Sequence, residues 1–194
     1  MKRYEVEVWG IAIDPFNQSP IVVLRNKENR KEILPIWIGH AEASGIMMVL
    51  NSVDFSRPLT YELMKTIIES LGGRVEKVEI NDIKDGTYYA TIYMKDVLGK
   101  LHKIDARPSD AINLALRFKV PILVAESVMD SSKVILDDSF VLNDFESVGG
   151  DEGAKKEEEK REGELEDLEN LKKWVESIKP EDFENFGKGG KDKN

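Results

Sequence analysis

The chain is predicted to be an α+β protein, a mixed or antiparallel sheet built from hairpins with helices packed against it. Three observations carry this. Short runs of β-branched residues recur with turn residues between them. Three segments of helical periodicity are interspersed with those runs. The 194 residues contain no stretch of apolar residues long enough to cross a bilayer.

Tyr4 to Asp14 reads as a strand, with Val6, Val8, Ile11 and Ile13 as its β-branched residues and Gly10 interrupting the alternation as a bulge would. Asp14-Pro15-Phe16-Asn17 is a turn. Ile21-Val22-Val23-Leu24 is a buried strand, Asn26 to Asn29 turns the chain, and Glu32 to Ile38 returns as its hairpin partner. Gly39-His40 opens a helix over about 41–50, whose small residues Ala41, Ala43, Ser44 and Gly45 allow close packing. Asp54 to Pro58 is a loop. Thr60 is predicted to cap a helix over 61–71 with an apolar face of Leu63, Met64, Ile67, Ile68 and Leu71, and Gly72-Gly73 ends it. Strands follow at about 74–82, 87–95 and 100–105. Pro108 suits the first turn of a helix to Phe118. Pro121 to Val124 is a short buried strand, and 128–142 closes the domain less regularly.

Residues 21–44 and 89–112 align without a gap at an offset of 68, each reading hairpin, short loop, helix. This is either an internal duplication or the chance likeness of two hairpin-to-helix units. In a duplication about a pseudo-twofold axis, the two helix starts approach each other.

The domain is expected to span 1–148. Residues 149–162 form a charged linker opened by Gly149-Gly150. Residues 163–186 form an amphipathic helix, with Leu165, Leu168, Leu171, Trp174, Val175 and Ile178 at helical spacing, and an acidic-aromatic end. Residues 187–194 are expected to be a disordered tail. The apolar stripe must dock on its own domain, a sister subunit or a partner protein.

Net charge is −9 and unevenly shared, with 10 Lys+Arg against 15 Asp+Glu in 149–194. Such a chain lacks the broad basic footprint of a nucleic-acid-binding protein, although local basic patches remain open. The absence of cysteine rules out disulfides, thiolate metal sites and cysteine nucleophiles. The N-terminus runs into alternating residues rather than an apolar h-region, so a cytoplasmic location is expected. Neither a Gly-rich phosphate loop nor a Ser-His-Asp pattern is evident.

The chemistry concentrates at two corners where a strand gives way to a helix. In Asp105-Ala106-Arg107-Pro108-Ser109-Asp110, Ser109 and Asp110 fall in a first helical turn, whose free N–H groups attract anions. Arg107 offers a fork for phosphate. The equivalent corner of the other copy is Gly39-His40-Ala41-Glu42, where Glu42 falls at the position of Asp110. Glu42, Asp105 and Asp110 are candidate catalytic carboxylates and candidate ligands of a divalent metal, Mg²⁺ or Mn²⁺. Arg57, Arg107 and Ser109 are candidate phosphate-binding residues. The competing reading is structural, with Asp110 complementing the helix dipole and Arg107 pairing with Asp105.

Several stretches resemble the bifunctional nuclease family, also called the BFN or DUF151 domain. They are Leu34-Pro35-Ile36-Trp37-Ile38-Gly39 with Glu42-Ala43, Arg57-Pro58 with Thr60 and Leu63, Asp105 to Ile112, and Pro121-Ile122 with Glu126. The stretch Val175 to Phe183, with Lys179-Pro180-Glu181-Asp182-Phe183, is similar to the short helix that ends many bacterial members. The resemblance implies an α+β fold, a homodimer, and DNase and RNase activity, described mainly for plant members. It assigns no catalytic residues. Two functions are therefore carried forward. One is a metal-assisted nuclease acting on nucleic acid. The other is a non-catalytic homodimeric module that binds a small anion, or a protein partner through 163–186.

Overall fold

A computed structural model of the chain describes residues 2–53 and 56–136. Among the described residues eight strands form one mixed sheet: β1 (Arg3–Ile13), β2 (Pro20–Asn26), β3 (Glu32–Trp37), β4 (Arg74–Lys84), β5 (Thr87–Lys95), β6 (Leu101–Ala106), β7 (Ile122–Ala125) and β8 (Val134–Ile135). The helices among them are α1 (His40–Leu50), α2 (Thr60–Ser70), α3 (Pro108–Phe118) and α4 (Glu126–Ser132). The expected α+β class is the one observed.

The strand order is β6-β5-β4-β7-β1-β2-β3-β8. Every pairing is antiparallel except that of β4 with β7. The two three-stranded meanders β1-β2-β3 and β4-β5-β6 thus extend in opposite directions from β7, and each runs into a helix, α1 or α3. The hairpin-to-helix units aligned at an offset of 68 occupy corresponding places in this arrangement. The expected bulge in the first strand is also present. Val8 pairs with Leu24 and Gly10 with Val23, leaving Trp9 as the extra residue. At the β4–β5 turn, Asp85 and Gly86 both have positive φ, as a tight two-residue hairpin requires.

The main core lies between one sheet face and helices α1, α3 and α4. Val22, Leu24, Val78 and Ile80 meet Ile46, Ile112, Val128 and Met129, all essentially without solvent exposure. α3 contributes most from the helical side because Ala111, Ile112, Leu114 and Ala115 all turn inward. A second, smaller cluster of Ala12, Ile21, Val23, Ile33 and Leu136, with Trp9, Trp37 and Val134, lies apart from it.

Three local expectations change. Thr60 does not cap α2. It is the first helical residue, and Leu59 holds the cap position in extended backbone without a side-chain hydrogen bond. Of the apolar residues expected to face the core from α2, Ile68 packs against it, partly buried, while the others are exposed. No residue of this helix is fully buried, and Leu63, Ile67 and Leu71 are 49%, 49% and 74% exposed. The segment expected to be irregular contains α4, a seven-residue helix entered from Ala125 without a polar cap. It is too short to display periodicity. The expected end of the domain at 148, the linker at 149–162, the helix at 163–186 and the tail at 187–194 lie outside the described residues.

Candidate active site at the converging helix starts

α3 begins where it does because Arg107 precedes a proline, which favours extended backbone, and Pro108 then supplies a helical φ without needing a hydrogen-bond acceptor. Arg107 accordingly has φ −69° and ψ 147° and is the N-cap. α1 begins after Gly39, also extended, at φ −76° and ψ 159°. Neither cap residue offers a side-chain hydrogen bond to the turn it opens. Two helix starts therefore present first-turn N–H groups and the positive ends of their dipoles without a side-chain cap from Gly39 or Arg107.

These starts meet through Arg107. Its Nη2 lies 2.7 Å from Glu42 Oε1. Its Nε donates to Asp110 Oδ2 at 2.7 Å, and Nη2 donates to Asp110 Oδ1 at 3.0 Å. The second pair is bidentate, the geometry in which guanidinium and carboxylate bind best. Glu42 folds back over Gly39 so closely that a Cβ there would strike its carboxylate. From the start of α2, the Tyr61 hydroxyl donates to Asp110 Oδ1 at 2.7 Å.

A buried amide fixes the spacing beneath these groups. Asn113 has no solvent exposure, and its Nδ2 donates to the carbonyls of Glu42 and Ser109, each at 3.0 Å. One side chain thereby ties the first turn of α1 to the first turn of α3. Arg117, whose side chain is only 5% exposed, donates to Asn113 Oδ1, to the Gly45 carbonyl and to Glu62, drawing α2 into the same network.

The titration behaviour follows from the contacts. Burial alone would raise the Asp110 carboxyl, but the hydrogen bonds from Arg107 and Tyr61 outweigh it and hold the group below the usual carboxylate range. Burial and the neighbouring Asp110 push the Tyr61 phenol well above its ordinary value, so it remains a donor. Arg107 is raised first by its hydrogen bond to Asp110.

A cleft of about 410 Å³ opens beside this corner, lined among others by Trp37, Gly39, Thr87, Tyr88, Arg107 and Ser109. Trp37 is held by its Nε1, which donates to Asp14 Oδ2 at 2.9 Å. The cleft thus combines an exposed guanidinium and a serine at a helix start with an aromatic wall.

The other candidates are placed differently. Asp105 is exposed on β6, opposite Thr91, and Arg107 pairs with Asp110 and Glu42 rather than with it. Arg57 lines a separate cleft with Met48, Val49, Ser52, Val53, Pro58 and Glu62, which shares no residue with the first. His40 is exposed at the start of α1. His102 pairs with Asp96 at 2.8 Å.

These residues do not fit a divalent cation as they stand. The guanidinium of Arg107 lies between Glu42 and Asp110 and takes the charge a metal would take. Among the described residues no three His, Asp or Glu side chains are gathered as a ligand set. Tyr61 and Asn113 were not foreseen as parts of this corner. Tyr61 carries no sequence signal. Asn113 does, as the one polar residue within Ala111-Ile112-Asn113-Leu114-Ala115, an otherwise inward-facing run.

The architecture is that of an α+β domain with two helix starts sharing one arginine. Residues 22–137 match the bifunctional nuclease domain, and the chain belongs to that family. It is 33% identical over 179 residues to an uncharacterized protein of Mycobacterium tuberculosis (strain ATCC 25618 / H37Rv), covering 92% of this chain and 97% of that one. It is 34% identical over 118 residues to bifunctional nuclease 2 of Oryza sativa subsp. japonica, and 30% identical over 117 to bifunctional nuclease 1 of Arabidopsis thaliana. These stretches cover 60% and 59% of this chain but only 36% of each plant protein. Among the described residues, no helix is long and apolar enough to cross a membrane.

Proposed function

We propose that the protein is a nuclease, acting on phosphodiester bonds of nucleic acid at the corner where α1 and α3 begin. The observation that carries this reading is Arg107 at the mouth of a cleft, positioned by Glu42 and Asp110 between two helix starts. The family match supports the substrate class. Arg107 and Ser109 would hold the phosphate, which binds an arginine fork and helix-start N–H groups by the same chemistry. A phosphate on Arg107 competes with Glu42 for the guanidinium. Glu42, so released, would be free to accept a proton from the water whose oxygen attacks phosphorus, as the bond from phosphorus to the leaving ester oxygen breaks and that oxygen takes a proton from solvent. Asp110, kept ionised by Arg107 and Tyr61, would remain as the positioning partner of the arginine. Arg57 would contact the nucleic acid from its own cleft. Asp105, exposed two residues before Arg107, joins the site only if the bound substrate or a cation draws it in.

Mg²⁺ or Mn²⁺ would assist this reaction by offsetting charge on the phosphate oxygens, which loss of cleavage in EDTA would reveal. A cytoplasmic homodimer is the proposed form. The exposed apolar residues of α2 offer a surface that a second copy would cover. A second reading is favoured by one observation, the pairing of both carboxylates with Arg107, which leaves neither of them unengaged as a base. Under it, the corner binds a small anion without cleaving anything.

The test is cleavage of single- and double-stranded oligonucleotides by purified full-length protein, with Mg²⁺, with Mn²⁺ and with EDTA. The nuclease reading expects activity that falls at least tenfold in Glu42→Gln and in Arg107→Ala. Equal activity in both variants would mark a contaminant. Oligonucleotide or phosphate binding that is lost in Arg107→Ala, without any turnover, would favour the second reading.

A further inference from the structure

The second face of the β1-β2-β3-β8 half of the sheet is buried by something other than the four helices. Ile21, Val23 and Ile33 on this face are 0% exposed. Their cluster draws every member from the strands and the residue just after β8, with no helix side chain among them. A sheet face can lose contact with water only under a second layer. α1, α3 and α4 deliver their buried apolar residues to the opposite face, into the main core.

The chain itself points to the covering layer. Leu136, the last described residue, already belongs to this cluster, and its N–H donates to the Lys31 carbonyl at 2.8 Å. The polypeptide therefore leaves the described domain at the edge of this face. The 58 residues that follow include the amphipathic stripe Leu165, Leu168, Leu171, Trp174, Val175 and Ile178. As a helix, 165–178 would be roughly 20 Å long at ~1.5 Å per residue. Four strands at ~4.8 Å spacing present a face of about the same width. Arg25 over the Trp9 ring on this face is already paired with Glu7 at 2.9 Å, so the basic residues at its edge are Arg30 and Lys31, in the turn joining β2 to β3. The segment from 149 onward is acidic on balance.

We infer that residues 165–178 dock in cis on the Trp9-Ile21-Val23-Trp37 face and complete the domain as its second layer. This assigns the stripe to the chain's own sheet, rather than to α2 of a second copy or to another protein.

The absence of cysteine makes a direct test available. Ser177→Cys, on the polar side of the stripe, provides a single thiol for a nitroxide label in the full chain. In the ¹⁵N spectrum, amides of Ile21, Val23, Ile33 and Trp37 should lose most of their intensity, while those of α2 keep theirs. A mixture of labelled ¹⁴N protein and unlabelled ¹⁵N protein should show no loss. Leu168→Glu combined with Leu171→Glu should restore the lost signals while α1 and α3 resonances stay in place. Loss centred on α2, loss in the mixed sample, or no loss anywhere would each overturn the inference. The first two would indicate a different docking face or a second copy. The last would mean that another segment, such as 137–148, forms the layer.

Discussion

Replacing Gly45 by alanine sets two known effects against each other, and the structure decides between them. In the interior of a helix, glycine to alanine ordinarily stabilises by about 1 kcal/mol. Gly45 sits mid-way along α1, where a Cβ would stand 2.6 Å from Asn113 Oδ1 and 2.9 Å from Tyr61 Cε2. Asn113 cannot simply swing away, because it is fully buried and both ends of its amide are engaged. Its Nδ2 serves two carbonyls, and its Oδ1 accepts from Arg117 Nη1 at 2.9 Å. Overpacking costs roughly 1–3 kcal/mol. Each hydrogen bond lost in making room adds about 0.5–1.5 kcal/mol. The balance is a net destabilisation of about 1–3 kcal/mol, or a fall in Tm of about 3–5 °C per kcal/mol for a domain of this size. Urea and thermal denaturation followed by circular dichroism would measure it. A Gly45→Ala variant as stable as the parent, or more so, would refute the close approach of α1 to α3 and the role of Asn113 as their tie.

Other outcomes are equally specific. Met129→Ala should cost about 2–5 kcal/mol in denaturation experiments, because Met129 is 0% exposed within the main core and leaves a cavity. Lys119→Gly should stabilise by up to about 1 kcal/mol, since Lys119 ends α3 at φ +55°, a conformation that favours glycine. Asp110 contributes stability above the carboxyl pKa of the unfolded chain, and that contribution fades as pH falls through its depressed value in the fold. Tyr61→Phe removes one of the two groups that depress it. The Asp110 carboxyl, followed by NMR, should then titrate at higher pH, and part of the stability it contributes above the carboxyl pKa of the unfolded chain should go. No movement of that titration would show that the hydroxyl does not hold the carboxylate.

The secondary structure was legible wherever local chemistry decided it. The pre-proline Arg107 and Pro108 fixed the start of α3, and the Gly10 irregularity appeared as the bulge at Trp9. The offset of 68 placed Glu42 against Asp110, and Arg107 does join the two in space. What escaped was decided by tertiary packing. α2 has the apolar spacing of a core helix, yet no residue of it is fully buried, because it packs on α3 and reaches the core only through Ile68. Periodicity records that a face is apolar but not what covers it. α4 has only seven residues and no cap signal. The direction in which Arg107 turned was also beyond the sequence. Asp105, Asp110 and Glu42 were all candidates to engage it, and only the two at helix starts do so. That choice places the arginine guanidinium between the two carboxylates.

The central claim is that the corner of α1 and α3 binds phosphodiester, and the Arg107 side-chain Nε–H resonance reports on it most directly. Titration with a short single-stranded oligonucleotide should shift that resonance and the Ser109 amide together, and the response should vanish in Arg107→Lys. Unmoved Arg107 and Ser109 signals, with the shifts gathered elsewhere on the molecule, would contradict the account.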